Sequence, residues 1–501
     1  MLVALLLLTL NLVGVWAGQQ NYPTGQGSAR EGLWVQDPTG TLTYRWVTPG
    51  AQEPTPLQDI MSMNLYITAR ADGSLSAFIR NPEQNFGAGI GPRAVAVDGN
   101  TVTLAAQGQQ SIVGQYDAQA DTLSFHFDPL PGTFVLHRTS ADVGPYAYQV
   151  PRQTDDGWQV ASLQTEGIDT PQLVSIIESV TAQAPTSLRA PYIQSLTIAR
   201  HGKLVLDAYF NGFERDGLHD MRSAGKSVTT LLVGRAMEEP GATFNPQSRV
   251  YDLLKNDAPV ANNDRLKRNM TIADLMSMQS GYACDDNDDN SPGNEDVMQS
   301  QTKQPDWYKY TLDLPMEAAP GTLAVYCTAG INLLGAIVAQ QTQQWLPAYF
   351  ASRFAGPMQF GRYAMWLMPP PSDEAYMGGG DRFRPRDFLK FGQLFLSGGH
   401  WNGTPIIDGA WLQQVATKRS TVKGEIGDYG WGWHLYQYPI GARKIKAISA
   451  GGNGGQLLFV FPQLDMTLLI TAANYGQYPV WSDYIKSLVP EILSTVRAEP
   501  Q

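Results

Sequence analysis

Between residues 30 and 140, apolar and polar positions alternate with a period of two, the pattern of strands with one buried face. Met63 to Arg70 and Ser74 to Arg80 flank the turn Ala71-Asp72-Gly73. Arg93 to Val97 and Thr101 to Ala105 flank Asp98-Gly99-Asn100, and Ser124 to Phe127 with Phe134 to His137 continue the series. No long helical period interrupts this stretch, so a small antiparallel barrel or sandwich is predicted, and no chemical motif falls within it. A polar segment, Arg152 to Gly157, then reads as a linker, and the pattern changes. Thr170 can cap a helix with Pro171 in its first turn, and Leu173, Ile176, Ile177 and Val180 share one face. Ser195 to Arg200 and Lys203 to Phe210 form a hairpin around His201-Gly202. Leu457 to Phe461 and Met466 to Thr471 form another, followed by a terminal helix beginning near Ser482. This order predicts an α+β unit: one antiparallel sheet whose first and last strands are far apart in sequence, covered by helices, with a helical insertion between them.

Size and termini fix the outline. A chain of 501 residues, 43% of them hydrophobic, is long for one core and has material for two. The predicted organisation is a signal peptide over 1–17, an all-β N-terminal domain over 18–150 and a second domain over 155–501. The opening run MLVALLLLTLNLVGVWA places Val15 and Ala17 where a signal peptidase reads small residues, although no Lys or Arg precedes it, so a retained anchor is the alternative. Removal of that run leaves no stretch long enough to span a membrane, and the protein is expected to be exported, periplasmic or secreted. A net charge of -11 with no basic cluster argues against nucleic acid and points to a small molecule or peptide as substrate. Two cysteines, Cys284 and Cys327, read in an exported chain as a disulfide, the alternative being two separate buried thiols. No metal site and no cofactor are expected, and no residue pattern encodes an oligomeric state.

Chemistry concentrates at Met221-Arg222-Ser223-Ala224-Gly225-Lys226-Ser227, which runs into the apolar segment Val228 to Met237. Ser223 and Lys226 are three apart, so on a helix their side chains share a face. A serine hydroxyl is a poor nucleophile until a neighbouring base takes its proton, and a lysine becomes that base only where burial and neighbours lower its pKa. Four-residue patterns arise by chance in long chains, so S-x-x-K alone decides little. A phosphate-binding loop is excluded because Asp220 stands where that loop requires glycine. Asp285, Asn287, Asp289 and Asp296 resemble a calcium loop only loosely, with Asn290 in place of its turn glycine. Neither an H-E-x-x-H nor a G-x-S-x-G pattern is present.

Further segments extend the pattern. Thr271 to Gly281 follows the nucleophile segment and opens with the capping box Thr271/Asp274. Pro320-Gly321, Tyr326-Cys327-Thr328-Ala329-Gly330 and Leu333-Leu334-Gly335 come next, then Gly378-Gly379-Gly380 with Arg386-Asp387 and Lys390-Phe391-Gly392. Together, from Asp155 to the end, these segments resemble the class C beta-lactamase and penicillin-binding family of serine hydrolases, which also contains esterases and D-amino-acid peptidases. The resemblance implies a beta-lactamase/transpeptidase-like fold and two-step acyl transfer, with Ser223 attacking and Lys226 and Tyr326 sharing the proton work. The family's second motif is usually Y-x-N; Thr328 stands at its third position, where an amide would help hold a substrate's acylamino side chain. The third motif, normally K-T-G or H-x-G on an edge strand, is best matched by Ala450-Gly451-Gly452, without its basic residue. By resemblance the oxyanion rests on the N–H groups of Ser223 and Asn453, within a register of one or two residues, and Thr328, Gly451, Gly452 and Asn453 contact substrate. Loss of the third-motif charge favours ester or amide hydrolysis over beta-lactam turnover. A non-catalytic penicillin-binding or sensor protein is the alternative. Trp431 and Trp433 either line the pocket or pack in the core.

Overall fold

The computed structural model of the protein describes residues 12, 14–21, 34–36, 43–47, 60–80, 92–126, 133–139, 145–182, 190–211, 213–254, 259–300, 306–368 and 374–497. Ten strands come first: β1 (Gly14–Asn21), β2 (Trp34–Gln36), β3 (Thr43–Val47), β4 (Ile60–Ala69), β5 (Leu75–Arg80), β6 (Arg93–Asp98), β7 (Thr101–Ala105), β8 (Ile112–Asp117), β9 (Thr122–Phe125) and β10 (Phe134–Thr139). Eight of them form a closed antiparallel barrel in the order β1-β10-β9-β8-β7-β6-β5-β4. Alternation decides its interior: along β7 and β8, Val102, Leu104 and Tyr116 turn inward beside Phe125 and Phe134, while their sequence neighbours stay wet. Closure comes from β1, which pairs with β4 along its length and with β10 through Val15↔Thr139, Trp16↔Arg138 and Ala17↔His137. A barrel rather than a sandwich is therefore formed, and its closing strand uses the end of the apolar run expected to be a leader. The rest of that run, residues 1–11 and 13, lies outside the described residues.

β2 and β3 leave the barrel. β3 pairs with β15 (Tyr363–Leu367) through Met365↔Val47, Trp366↔Trp46 and Leu367↔Arg45, and so joins a sheet far along the chain. The barrel itself meets the second unit through polar groups. Asn64 Nδ2 donates to Tyr192 Oη at 3.2 Å, the hydroxyls of Tyr66 and Tyr192 lie 3.1 Å apart, and the Arg80 guanidinium sits 4.6 Å from the Tyr192 ring centre.

The second unit is built on an eight-stranded sheet. Its strands are β11 (Gln159–Val160), β12 (Ile193–Arg200), β13 (Lys203–Tyr209), β19 (Asp428–Tyr429), β20 (His434–Ile440), β21 (Arg443–Gly452), β22 (Gln456–Phe461) and β23 (Met466–Ala472). They lie in the order β11-β13-β12-β23-β22-β21-β20-β19. β12 and β23, some 270 residues apart, are neighbours from Ile193↔Ala472 to Arg200↔Met466, as the two predicted hairpins require. Short strands β14 (His219–Asp220) and β16 (Arg382–Phe383) flank β15, and β17 (His400–Trp401) pairs with β18 (Thr404–Pro405). β12, β22 and β23 are buried on both faces; β22 reads accordingly as an almost continuous apolar run, whereas β12 also buries Gln194, Ser195, Thr197 and Arg200.

Helices cover both sides. One face carries α1 (Thr170–Thr181) and the C-terminal helical turns, packed on Ile198, Leu206, Phe459 and Ile470. The other carries α2 (Gly225–Met237), α3 (Ile272–Met276), α4 (Thr328–Thr342) and α5 (Pro385–Leu396). The cap of α1 is Asp169, one residue before Thr170; its extended backbone lets Oδ1 accept from Gln172 N at 3.1 Å, so Thr170 is already helical. The terminal helical segment begins at Tyr478, ahead of Ser482. Thr271 and Asp274 form the predicted capping box on α3. Among the described residues, no helix is long and apolar enough to cross a membrane.

Candidate active site

Ser223 lies on a tight 3-10 turn, Arg222–Ala224, that runs directly into α2, and Lys226 occupies the first turn of that helix. The three-residue spacing brings the two together: Lys226 Nζ is 2.7 Å from Ser223 Oγ, and it also donates to Gly378 O at 2.7 Å. The turn is strained. Arg222 has a φ of 49°, left-handed for a residue other than glycine, and is held there by Asp220, whose carboxylate accepts from Arg222 N at 2.8 Å and pairs with its Nε at 3.1 Å. Two glycines make the close approach to this turn possible. A Cβ on Gly452 would lie 2.3 Å from Met221 O, and one on Gly379 2.7 Å from Arg222 O.

Burial sets the electrostatics. Lys226 is 1% exposed, and that desolvation holds its ammonium below the usual lysine range despite Glu295, Asp286 and Glu425, whose charges oppose the shift. The Tyr326 phenol is driven well above the usual tyrosine range by burial, reinforced by Tyr429, Glu425 and Asp286 and eased by a hydrogen bond with Ser223. Its ring centre lies 5.1 Å from Lys226 Nζ. Ser223, Lys226 and Tyr326 are thus assembled at one point from residues a hundred positions apart.

Tyr326 is held from behind. Cys284 and Cys327 form a disulfide, and Asp286 N donates to Tyr326 O at 2.9 Å. Thr328, at the second motif's third position, is fully buried; its N–H and its hydroxyl both donate to Asp286 Oδ2, at 2.7 and 2.5 Å. Asp286 was overlooked when the acidic loop was weighed for calcium, because a carboxylate two residues past a cysteine carries no local pattern. Burial and the neighbouring Glu295 push its carboxyl up to about 6, against the pull of Lys226 and Thr328. Glu295 Oε1 accepts from the Tyr376 hydroxyl at 2.7 Å. Glu425 is raised by burial and lowered by Lys226.

The third-motif segment ends β21. That strand is internal, with β20 and β19 beyond it, rather than at the sheet edge. Ala450 is fully buried in the same core as Met221, Ala224 and Val228, and Gly452 abuts the nucleophile turn. Gly451 is half-buried, its Cβ position 3.5 Å from His434 Cδ2. Asn453 opens the turn to β22, exposed, with Oδ1 accepting from Gly476 N at 2.8 Å. Trp431 and Trp433 are core residues: Trp433 packs edge-on against Phe395 at 4.7 Å, and Trp431 against Trp411 at 5.3 Å. Arg386 pairs with Asp156 and Asp207, tying α5 to the linker and to β13, while Asp387 and Lys390 pair with each other within α5, all buried. Among the described residues no group of side chains could hold a metal ion.

The sequence matches one family model, named Beta-lactamase, over residues 193–479, more than half of the chain. The chain belongs to the beta-lactamase family. Among solved structures it is similar to EstCE1, a hydrolase with promiscuous acyltransferase activity, at 16% identity over 65% of this chain and 99% of that one, with a TM-score of 0.50. It is also similar to a family VIII carboxylesterase (17% identity, 66% and 98% covered, TM-score 0.49) and to the octameric penicillin-binding protein homologue from Pyrococcus abyssi (16% identity, 65% and 79% covered, TM-score 0.49). At these identities the likeness is one of fold. No curated protein sequence matches the chain.

Proposed function

We propose that the protein is an exported serine hydrolase that acts on esters or amides through an acyl-enzyme on Ser223. The observation that carries this reading is the 2.7 Å contact between Ser223 Oγ and a fully buried Lys226 whose pKa is depressed. In the first step the Oγ–carbon bond forms as the serine proton passes to the Lys226 and Tyr326 pair. The tetrahedral oxyanion rests on the N–H groups of Ser223 and Asn453, and the leaving group departs with the returned proton. Water then attacks the acyl-enzyme by the same relay and releases the acid. Preference for esters over beta-lactams is supported by Ala450, which brings no cation to a lactam's carboxylate. We propose further that residues 1–17 direct export to the periplasm or beyond, and that 18–150 and 155–501 are separate domains.

The test is mass spectrometry after a serine-reactive fluorophosphonate, with Ser223→Ala and time courses on p-nitrophenyl butyrate and nitrocefin. One adduct on Ser223, turnover lost in the variant and faster ester cleavage are expected. Activity should rise with pH through a midpoint below lysine's ordinary 10.5, since the base is unprotonated Lys226. Absence of adduct and turnover would favour the competing reading, a non-catalytic penicillin-binding or sensor protein, whose motivation is that neither Thr328 nor Ala450 turns a free polar group toward Ser223.

A further inference from the structure

One short stretch of chain, residues 473–476, ties the foot of the barrel to both halves of the oxyanion site. On one side it holds the turn between β21 and β22: Asn474 N donates to Gly454 O at 3.0 Å, and Gly476 N to Asn453 Oδ1 at 2.8 Å. The Tyr475 ring fills the space between. A Cβ on Gly454 would lie 2.6 Å from its Cδ1, and the Arg222 guanidinium sits 4.9 Å from its ring centre. Arg222 is the left-handed residue of the nucleophile turn, immediately before Ser223, so one ring touches the two segments that carry the proposed oxyanion donors.

On its other side the stretch is held by Tyr192. Tyr192 N donates to Asn474 Oδ1 at 2.8 Å, Ala473 N donates to Tyr192 O at 3.0 Å, and Tyr192, Ala473 and Tyr475 form a small buried cluster of their own. Asn474 has no exposed surface, and its Oδ1 also accepts from the Tyr484 hydroxyl at 2.7 Å, so it moves only if its neighbours move. What covers Tyr192 is the barrel. Asn64 and Tyr66 of β4 reach its hydroxyl, and Arg80 of β5, 3% exposed, lies over its ring at 4.6 Å. Burying a guanidinium is costly and simple docking does not require it; against an aromatic face, with the phenols of Tyr66 and Tyr484 acting on its charge, it fixes where the Tyr192 ring stands.

We propose that the barrel is a positioning element of the active site, with Arg80 as its positioning residue: through Tyr192 and residues 473–476 it holds the N–H groups of Ser223 and Asn453 at the spacing an oxyanion requires. This rests on the reading of those two groups as the oxyanion donors. Donors on separate segments stabilise a tetrahedral intermediate only when both are held in place beforehand. Neither segment secures that alone. The nucleophile turn is strained at Arg222, and the turn after Asn453 runs through Gly454 and Gly455, at φ 95° and 100°, with no side chains of their own to lock it. Tyr475 is wedged between the two, and the barrel sets where the wedge stands. The barrel thus acts on kcat without touching substrate.

The test measures p-nitrophenyl butyrate turnover and the rate of fluorophosphonate labelling at Ser223 in the full chain, for Arg80→Met, Arg80→Lys, Tyr475→Leu and the double variant Arg80→Met with Tyr475→Leu. Arg80→Met should lower kcat and the labelling rate about tenfold or more with KM changed by less than about twofold, and Arg80→Lys, which keeps a cation over the Tyr192 ring, should recover most of that loss. Because the two residues act along one line of contacts, the double variant should lose no more than Tyr475→Leu alone. Arg93→Met breaks the hydrogen bonds of a buried arginine elsewhere in the barrel, to Leu104 O and Gln110 O; it is the control for lost barrel stability and should leave kcat unchanged. If Arg80→Met does not fold, Tyr66→Phe, which removes one hydroxyl from the same contact, should show the same fall in kcat at constant KM on a smaller scale. An unchanged kcat in the Arg80 or Tyr66 variant, an equal loss in Arg93→Met, or multiplying losses in the double variant would overturn the proposal. A labelled wild type with an indifferent Arg80→Met defeats the positioning alone, whereas a wild type with neither label nor turnover defeats the nucleophile and with it the positioning.

Discussion

On the Tyr326 side of Ser223, a lysine, three carboxylates and a disulfide crowd together; on the β21 side Gly452 abuts the turn that carries Ser223, with Gly451 and the buried Ala450 before it in the strand. The first wall is made of side chains brought in from three distant segments and can discriminate by charge. The second is made of backbone and can discriminate only by fit. Loss of polarity in the third motif is thus matched by a gain of it around the second, and the consequence is a site whose electrostatics differ from those its motifs alone would imply.

Several substitutions would break or sharpen this contrast. The largest effect is expected from Gly452→Ala, because the added Cβ would lie 2.3 Å from Met221 O and push β21 off the nucleophile turn. Displacing one oxyanion donor lowers kcat by about a hundredfold or more, and overpacking costs about 1–3 kcal/mol. Gly451→Ala, whose Cβ meets only the His434 ring edge at 3.5 Å, should lose far less in the same assays.

Cutting the disulfide acts on the opposite wall. With Cys284 and Cys327 separated by 43 positions, the chain-entropy cost of losing the bond is about 4 kcal/mol, an upper figure. Cys284→Ser with Cys327→Ser should lower the denaturant midpoint accordingly, while main-chain placement on the β21 side is untouched. An unchanged midpoint would mean that the loop is held without the bond.

The smallest change is Thr328→Val, which removes one hydrogen bond to a carboxylate, worth about 1.5–3 kcal/mol. Because that bond favours the ionised form, the Asp286 midpoint should rise above about 6. The sign for stability follows. The folded pKa of Asp286 exceeds its ordinary 3.8, so the group favours folding fully below about pH 4, and that contribution is lost as pH rises through 6. Denaturation at pH 5 and pH 7 should show a wider gap in the variant than in the wild type.

Much of the architecture was legible because it depends on local period. Alternation between residues 60 and 139 sufficed for strands, and the turn glycines for their hairpins, yet β8 and the closing strand β1 went unread. Nothing local marks Gly14–Asn21 as a barrel strand. Likewise Thr170 and Asp169 are both good caps, and only the backbone angle at Asp169 decided between them.

The sequence by itself determined the Ser223–Lys226 pairing, the capping box on α3, the α+β order of elements and the family resemblance, since each depends on residues a few positions apart whose spacing fixes their relative geometry. Tertiary structure alone decided that Asp286 closes on Thr328, that Glu295 and Glu425 act on Lys226, and that β21 lies inside the sheet, and it chose the Cys284–Cys327 bond over two separate thiols. Those relations join residues up to two hundred positions apart, and burial, which sets the protonation of Lys226 and Asp286, is a property of how the layers pack and not of any stretch of chain.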